Sequence, residues 1–437
     1  MAFNLRQLAG NRILKHAALL VSGTMLAQLV LIGTQLVIRR LYGAEDFGAF
    51  SLYMSVVNVL TVLCTLRYEL AVVLPRSERK ATALVLGGIA IVVAVNALAT
   101  LAILIFPETV TRWLSFPAAH TRWLFLIPIS AAFFSGYQFL NFWLTRRSAF
   151  RAISANKVLR RAVEGTAQSA FGALGKTWGL PLGDVVGNGI NFAAGCLQGT
   201  LHGFALKGQT ARGVWRVLGE YRQFPQYQAL PSVLNTLSLL MPVFFLNAFF
   251  GPAPTGYFDL SRQILVVPIA FVTASLTQVL LKELRDKVVS RQEVTPTVLR
   301  SAAALTALIA PFALVMVFWG PQLFALVFST NWAPSGEYAR ILAAAFAIRF
   351  VVSPLSISFT VIQKLKTQAV WQFGYFLLML SLWFFADLSV ERFLLLYVGF
   401  VIVAYLAYFA LIIASCHRFD WGRKPIDAPT KVPGNCP

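Results

Sequence analysis

Charge is what this sequence is short of. Only 12% of its 437 residues are Asp, Glu, Lys or Arg, about half the share of a soluble domain. With 58% hydrophobic residues and a mean hydropathy of +0.70, that scarcity excludes a water-soluble globular body. Acidic residues are scarcer still, 17 against 37 basic ones, for a formal net charge of +20. Such an excess suits nucleic acid or anionic lipid, and the positions of the charges must decide between them. Cysteine is limited to Cys64, Cys196, Cys416 and Cys436, whose spacing fits neither a zinc site nor a disulfide framework. Histidine is confined to His16, His120, His202 and His417, and no nucleophile motif accompanies them. No catalytic constellation, cofactor or metal is therefore expected.

What is abundant is long apolar runs. A spanning helix needs about 20 mainly apolar residues. Breaks at charged, Pro or Gly positions give twelve candidates: 13–38, 47–74, 81–106, 121–144, 157–176, 179–205, 229–250, 256–281, 299–319, 337–363, 366–386 and 391–415. The basic, amphipathic start FNLRQLAGNRILKHAALL runs straight into the first of these, so no cleavable leader is expected. With the N-terminus in the cytoplasm, inside segments hold 27 Lys and Arg and outside segments only 7. That bias sets both termini inside, and it turns the basic excess toward anionic lipid headgroups, with no need of nucleic acid.

The fold class expected is all-α: a polytopic membrane protein of about twelve transmembrane helices in two six-helix bundles around a central cavity. A linker at 206–228 separates residues 1–205 from 229–415, and 416–437 reads as a disordered cytoplasmic tail. FGAFSLY at 47–53 and TGYFDLS at 255–261 open the second and eighth runs, a faint sign of an internal repeat.

Several runs carry polar residues three and four apart, on one helical face. Asp184, Asn188, Asn191, Gly195, Gln198 and His202 form one such stripe; Arg349, Ser353, Ser356, Thr360 and Gln363 form another. The run at 47–74 offers Ser51, Ser55, Asn58, Thr65 and Glu69, and the run at 157–176 offers Lys157, Arg161, Glu164 and Gln168. Such residues often only join helices, at about 0.6 kcal/mol per hydrogen bond. A polar face along a whole span is expensive unless it meets water or a polar substrate, which points to a hydrated cavity. Once the inside and outside segments are counted, three basic residues remain, all deep in the runs: Arg67, Arg262 and Arg349. Arg349 sits nearest mid-membrane and heads a stripe. Arg262 follows Asp259 by three residues, so a local ion pair explains it equally well. On a continuous helix Glu69 shares the face of Asn58 and Thr65 while Arg67 points away, toward the cavity only if the helix bends.

LLVSGTMLAQLVLIGTQLVIRRLYGAEDFGAFSLY, followed by LRYELAVVLP, resembles the N-terminal pattern of Wzx-type bacterial polysaccharide exporters. NWAPSGEYARILAAAFAIRFVVSPLS resembles their C-terminal half, and the similarity spans residues of about 15 to 415. Those exporters belong to the multidrug/oligosaccharidyl-lipid/polysaccharide (MOP) superfamily. The resemblance implies an alternating-access flippase in the bacterial inner membrane. It would move undecaprenyl-pyrophosphate-linked oligosaccharide from the cytoplasmic to the periplasmic leaflet, for surface polysaccharides such as lipopolysaccharide or exopolysaccharide. It further implies that Arg67, Arg349 and Arg262 hold the pyrophosphate, with Asn58, Asn188, Asn191 and Gln198 serving sugar hydroxyls. Polysaccharide polymerase and chain-length proteins become candidate partners. Two alternatives stay open. A cation-coupled multidrug antiporter of the same superfamily would use buried acids such as Glu69, Glu164 and Asp184. A membrane-embedded polymerase would need a sizeable outside loop, and the longest here is only about 320–336.

Overall fold

The computed structural model describes residues 12–206 and 208–421, with the side chains at 12–21, 268–275 and 278 left aside. Twelve long helices follow one another: α1 (Arg12–Leu41), α2 (Ala44–Thr65), α3 (Glu78–Ile105), α4 (Leu126–Arg146), α5 (Phe150–Ala173) and α6 (Gly179–Leu201), then α7 (Leu230–Phe250), α8 (Pro252–Val289), α9 (Thr295–Phe328), α10 (Ala333–Leu355), α11 (Leu365–Leu380) and α12 (Val390–Trp421). Lipid offers no hydrogen-bond partner to the backbone, so a chain this apolar closes its peptide groups within helices. Among the described residues nine segments are long and apolar enough to cross a membrane. The runs expected at 157–176, 179–205 and 256–281 are helical but fall outside that set. Charge on α5 and α8, and glycine and asparagine on α6, lower their apolarity.

The helices form two bundles with one packing plan. In the first half α5 lies between α1 and α6, while α4 touches α6, α3 and α2. In the second, α11 lies between α7 and α12, while α10 touches α12, α9 and α8. The bundles meet where α2 packs against α7 and α8, with α1 reaching α8 and α9. Cross-contacts fix two ends. The distal end holds the turn after α1, the start of α8 and Trp332; the proximal end holds the start of α9 and the end of α12.

Local chemistry sets the joints. Gly251 adopts φ 85°, open to glycine without strain, and Pro252 then starts α8 with the fixed φ of a first helical residue. Asp420 accepts from the backbone N–H of Val294 and Thr295 (both 3.0 Å) and so caps α9. This contact corrects the tail boundary: 416–421 is the last turn and a half of α12, and 422–437 lie outside the described residues.

Three further expectations change. The run at 47–74 is not one helix. Leu66 (φ 46°) and Arg67 (φ 63°) are left-handed, and Tyr68–Val73 forms a separate short 3₁₀ helix. The stripe extrapolated from Asn58 to Glu69 therefore fails. The stripe below Arg349 is also interrupted, because α10 ends at Leu355 beside Pro354 and Gln363 is left-handed. The 206–228 segment, finally, contains an amphipathic helix, Ala211–Glu220, whose Val217 and Leu218 are buried against α3.

Candidate functional site

Four polar clusters lie inside the helical body. One of them joins the two bundles at the distal end. Arg39, 1% exposed in the last turn of α1, bridges to Asp259 of α8 at 3.0 Å. Its Nε donates to Gln35 (2.9 Å), and its guanidinium lies 3.5 Å from the Phe47 ring centroid and 4.5 Å from that of Trp332. Asp259 also accepts from Ser51 of α2 (3.1 Å), Gln263 (2.6 Å) and Arg262 (3.2 Å). The pair Arg262–Asp259 is thus the local ion pair that the sequence left open. Ser51 and Asp259 occupy equivalent places in FGAFSLY and TGYFDLS, so the two repeat motifs face each other across the bundle interface. Gly48 and Gly256, also equivalent, bring the helix backbones together: a Cβ at Gly48 would run into the carbonyl of Pro252, and one at Gly256 into that of Ala44. With the first run ending at 38, Arg39 was counted among the outside segments. The tryptophan and acid that bury it lie far along the chain, so nothing local announced them.

The second cluster belongs to the N-terminal bundle. Asp184 on α6 is fully buried and accepts from Asn188 (3.0 Å), from Tyr53 (3.4 Å) and, at short range, from Ser130 of α4. Arg160 of α5 approaches it at 3.6 Å and Glu164 at 4.0 Å; Arg161 pairs with Glu164 at 3.0 Å. Asn188 also donates to Ser130 (2.9 Å), and Asn191 is 2% exposed. Gln198 and Asn156 exchange amide hydrogen bonds of 2.7 and 3.0 Å. The expected cavity-lining stripe thus meets side chains of its own bundle. Asn58 turns back to the carbonyl of Met54 (2.6 Å). Arg160 was counted with the cytoplasmic segment 145–161, at the mouth of a run expected to start at 157; α5 begins at Phe150, which carries Arg160 to mid-helix.

The third cluster surrounds Arg349 in the C-terminal bundle. Its guanidinium sits 5.3 Å from the Phe346 centroid and 5.8 Å from that of Tyr405, with Tyr375 and Tyr397 alongside. Its Nε is buried and has no hydrogen-bond partner. Among the described residues no carboxylate lies within ion-pair distance of Arg349, and Glu164 is engaged by Arg160 and Arg161. A cation held among aromatic faces and hydroxyls retains its capacity for an anion.

The fourth cluster stands at the proximal end. Arg67 donates from Nε to Ser232 at the start of α7 (2.7 Å) and pairs with Glu69 at 3.3 Å. Glu69 is 4% exposed at its side chain and Arg67 33%, so the arginine faces out from the junction while the acid supports it. The left-handed break at 66–67 is what turns Arg67 toward the other bundle.

Two bundles of like plan, joined through buried charge, define a multi-pass helical membrane protein. A sequence profile described as "Polysaccharide biosynthesis protein" matches residues 37–337, and the chain belongs to that family. The fold is similar to those of solved MOP superfamily proteins. An inward-facing multidrug resistance MATE family transporter superposes with a TM-score of 0.71 at 15% identity, covering 93% of this chain and 99% of that one. The lipid II flippase MurJ, in an inward closed conformation, gives 0.73 at 11% identity, with 93% and 90% covered. An outward-facing MATE family transporter gives 0.62 at 14% identity, with 93% and 96% covered. No individually curated protein sequence matches the chain.

Proposed function

We propose that this protein flips undecaprenyl-pyrophosphate-linked oligosaccharide from the cytoplasmic to the periplasmic leaflet, with about twelve spans and both termini in the cytoplasm. The observation that carries the reading is membership of a polysaccharide biosynthesis family on a fold shared with a lipid II flippase. Arg349 supports the choice of cargo: an interior arginine without a carboxylate suits the bidentate recognition of a phosphate. Arg67, half-exposed where the bundles meet proximally, is suited to receive the same group as it enters. Arg262 is engaged by Asp259 and takes a lesser part.

The conformation supports the orientation. The chain is more similar to the inward-facing than to the outward-facing MATE form, and its distal end is sealed by Arg39, Asp259, Gly48 and Gly256. On an inward-facing reading the sealed distal end is periplasmic and the termini are cytoplasmic, the orientation that the positive-inside bias favours. On this reading 1–205 and 229–415 are the two moving bodies and 206–228 the cytoplasmic connection.

Arg349→Lys, Arg349→Ala and Arg349→Glu test the cargo site. Lysine keeps the charge and loses the planar fork, so export of surface polysaccharide falls but persists. Alanine and glutamate abolish export at unchanged protein level. Normal polysaccharide from a well-expressed Arg349→Ala strain would remove Arg349 from the mechanism.

One observation favours a second reading, the cation-coupled antiporter: Asp184 and Glu164 are two buried acids in one bundle. Cation-driven efflux of a hydrophobic dye, lost in Asp184→Asn and indifferent to Arg349→Ala, would select it.

A further inference from the structure

Beside the start of α3 the surface holds a cavity of about 350 Å³ whose rim carries four cations. Arg79 and Lys80 come from the first turn of α3, and Arg212 and Arg216 from the helix at 211–220. Glu220 is the single acid on the rim, and it is taken by Lys80 at 2.7 Å. Among the described residues Arg79, Arg212 and Arg216 make no ion pair, so three of the four cations lining one pocket have no acid partner. Like charges gathered on one rim repel, and an anion bound among them relieves that repulsion.

The pocket is built rather than incidental. Gly87 of α3 lets the helix at 211–220 come into contact, since a Cβ there would press into Leu218 and Val214. Tyr68 donates to the carbonyl of Leu218 (3.1 Å), Gln209 to that of Arg79 (2.9 Å), and Thr210 caps the helix by accepting from Gly213 (3.2 Å). The four cations are thus carried on two helices fixed against each other.

Its depth identifies the kind of anion. On the same segment Trp215 is 64% exposed and Tyr227 75%, beside exposed Leu206 and Leu230. Aromatic rings of this exposure at the end of a helical bundle belong at the membrane–water boundary, and an amphipathic helix with basic and aromatic faces lies in that plane. We infer that the Arg79–Lys80–Arg212–Arg216 pocket is a binding site for the phosphate-bearing headgroup of an anionic membrane lipid. The site requires only that the chain be a membrane protein; it holds whether or not the cargo is a lipid-linked oligosaccharide. A lipid bound there would brace the connection between the two bundles against α3.

The test uses the full chain, purified in detergent and stripped of lipid, with native mass spectrometry as readout. Phosphatidylglycerol should bind in a first saturable step that phosphatidylcholine does not share. Arg79→Gln/Arg212→Gln/Arg216→Gln should weaken that step on the order of a hundredfold, since each basic residue near the headgroups contributes about a factor of five. The corresponding triple lysine variant should retain most of it. Glu220→Gln, which frees Lys80, should tighten it severalfold, an effect no folding defect produces. Displacement by inorganic pyrophosphate would show that the phosphate group alone suffices; resistance to it would show that the whole lipid is recognised. Equal first-step binding of phosphatidylglycerol by the wild type and the triple Gln variant, or of both lipids by the wild type, would overturn the inference. Polysaccharide export measured alongside separates this site from the cargo site, because Arg349→Ala should leave the lipid step unchanged.

Discussion

Removing Asp259 should cost more stability than removing the arginine it pairs with. Arg39 has no solvent to fall back on, because its side chain is wholly buried and its partner sits 3.0 Å away. Asp259→Ala leaves that guanidinium uncompensated and also releases Arg262. Breaking a buried pair from one side typically costs about 3–5 kcal/mol. Arg39→Met keeps the apolar stem against Phe47 and Trp332 and leaves Asp259 with Arg262, Ser51 and Gln263. Its cost should therefore be smaller, about 1–3 kcal/mol. In Arg39→Met/Asp259→Ala no buried charge is stranded at that point, so the double variant should be more stable than the sum of the singles by about 1–3 kcal/mol. The assay is denaturant unfolding of the purified protein in detergent, read by tryptophan fluorescence, since Trp332 lies against Arg39. Strict additivity, or an Asp259→Ala variant as stable as wild type, would refute the view that this pair seals the distal end.

Other outcomes follow from the same geometry. Gly48→Leu with Gly256→Leu should force the bundle ends apart, because each new side chain meets backbone carbonyls that have no room to move; cysteine at Ser51 should then become reactive to a hydrophilic thiol reagent, and continued protection would contradict the close approach. Asp184→Asn should be tolerated better than Asp184→Leu, since asparagine keeps one of the two acceptor oxygens that Asn188 and Ser130 use; equal protein yields for both would dismiss the network as unimportant. Cysteines at Ser115 or Glu337 should label from the periplasm and one at Ser290 should not; the reverse pattern would invert the orientation proposed.

Much of the architecture was legible because hydropathy reports directly on the solvent. Each of the twelve apolar runs coincides over most of its length with one long helix, and the FGAFSLY/TGYFDLS likeness marked the two segments that meet at the bundle interface. The site was less legible for definite reasons. Helical projection assumes an unbroken helix, and Leu66 and Arg67 take positive φ with no glycine or proline to announce it. Assigning arginines to the segments flanking the runs put Arg160 and Arg39 at the membrane surfaces, whereas long-range partners, Asp184 for one and Asp259 for the other, hold both within the body. Asn188 and Asn191 were visible as a stripe. Whether a stripe faces a cavity or a neighbouring helix depends on packing that no spacing encodes.

Flipping itself is the decisive measurement. The purified protein is reconstituted into vesicles with undecaprenyl-pyrophosphate carrying a fluorescently labelled oligosaccharide, and a membrane-impermeant quencher is added outside. Wild-type vesicles should lose signal from both leaflets, while protein-free vesicles and those with folded Arg349→Ala should lose only the outer-leaflet share. Inner-leaflet signal that stays protected in wild-type vesicles, under any imposed proton or sodium gradient, would contradict the assignment of this chain as a lipid-linked oligosaccharide flippase.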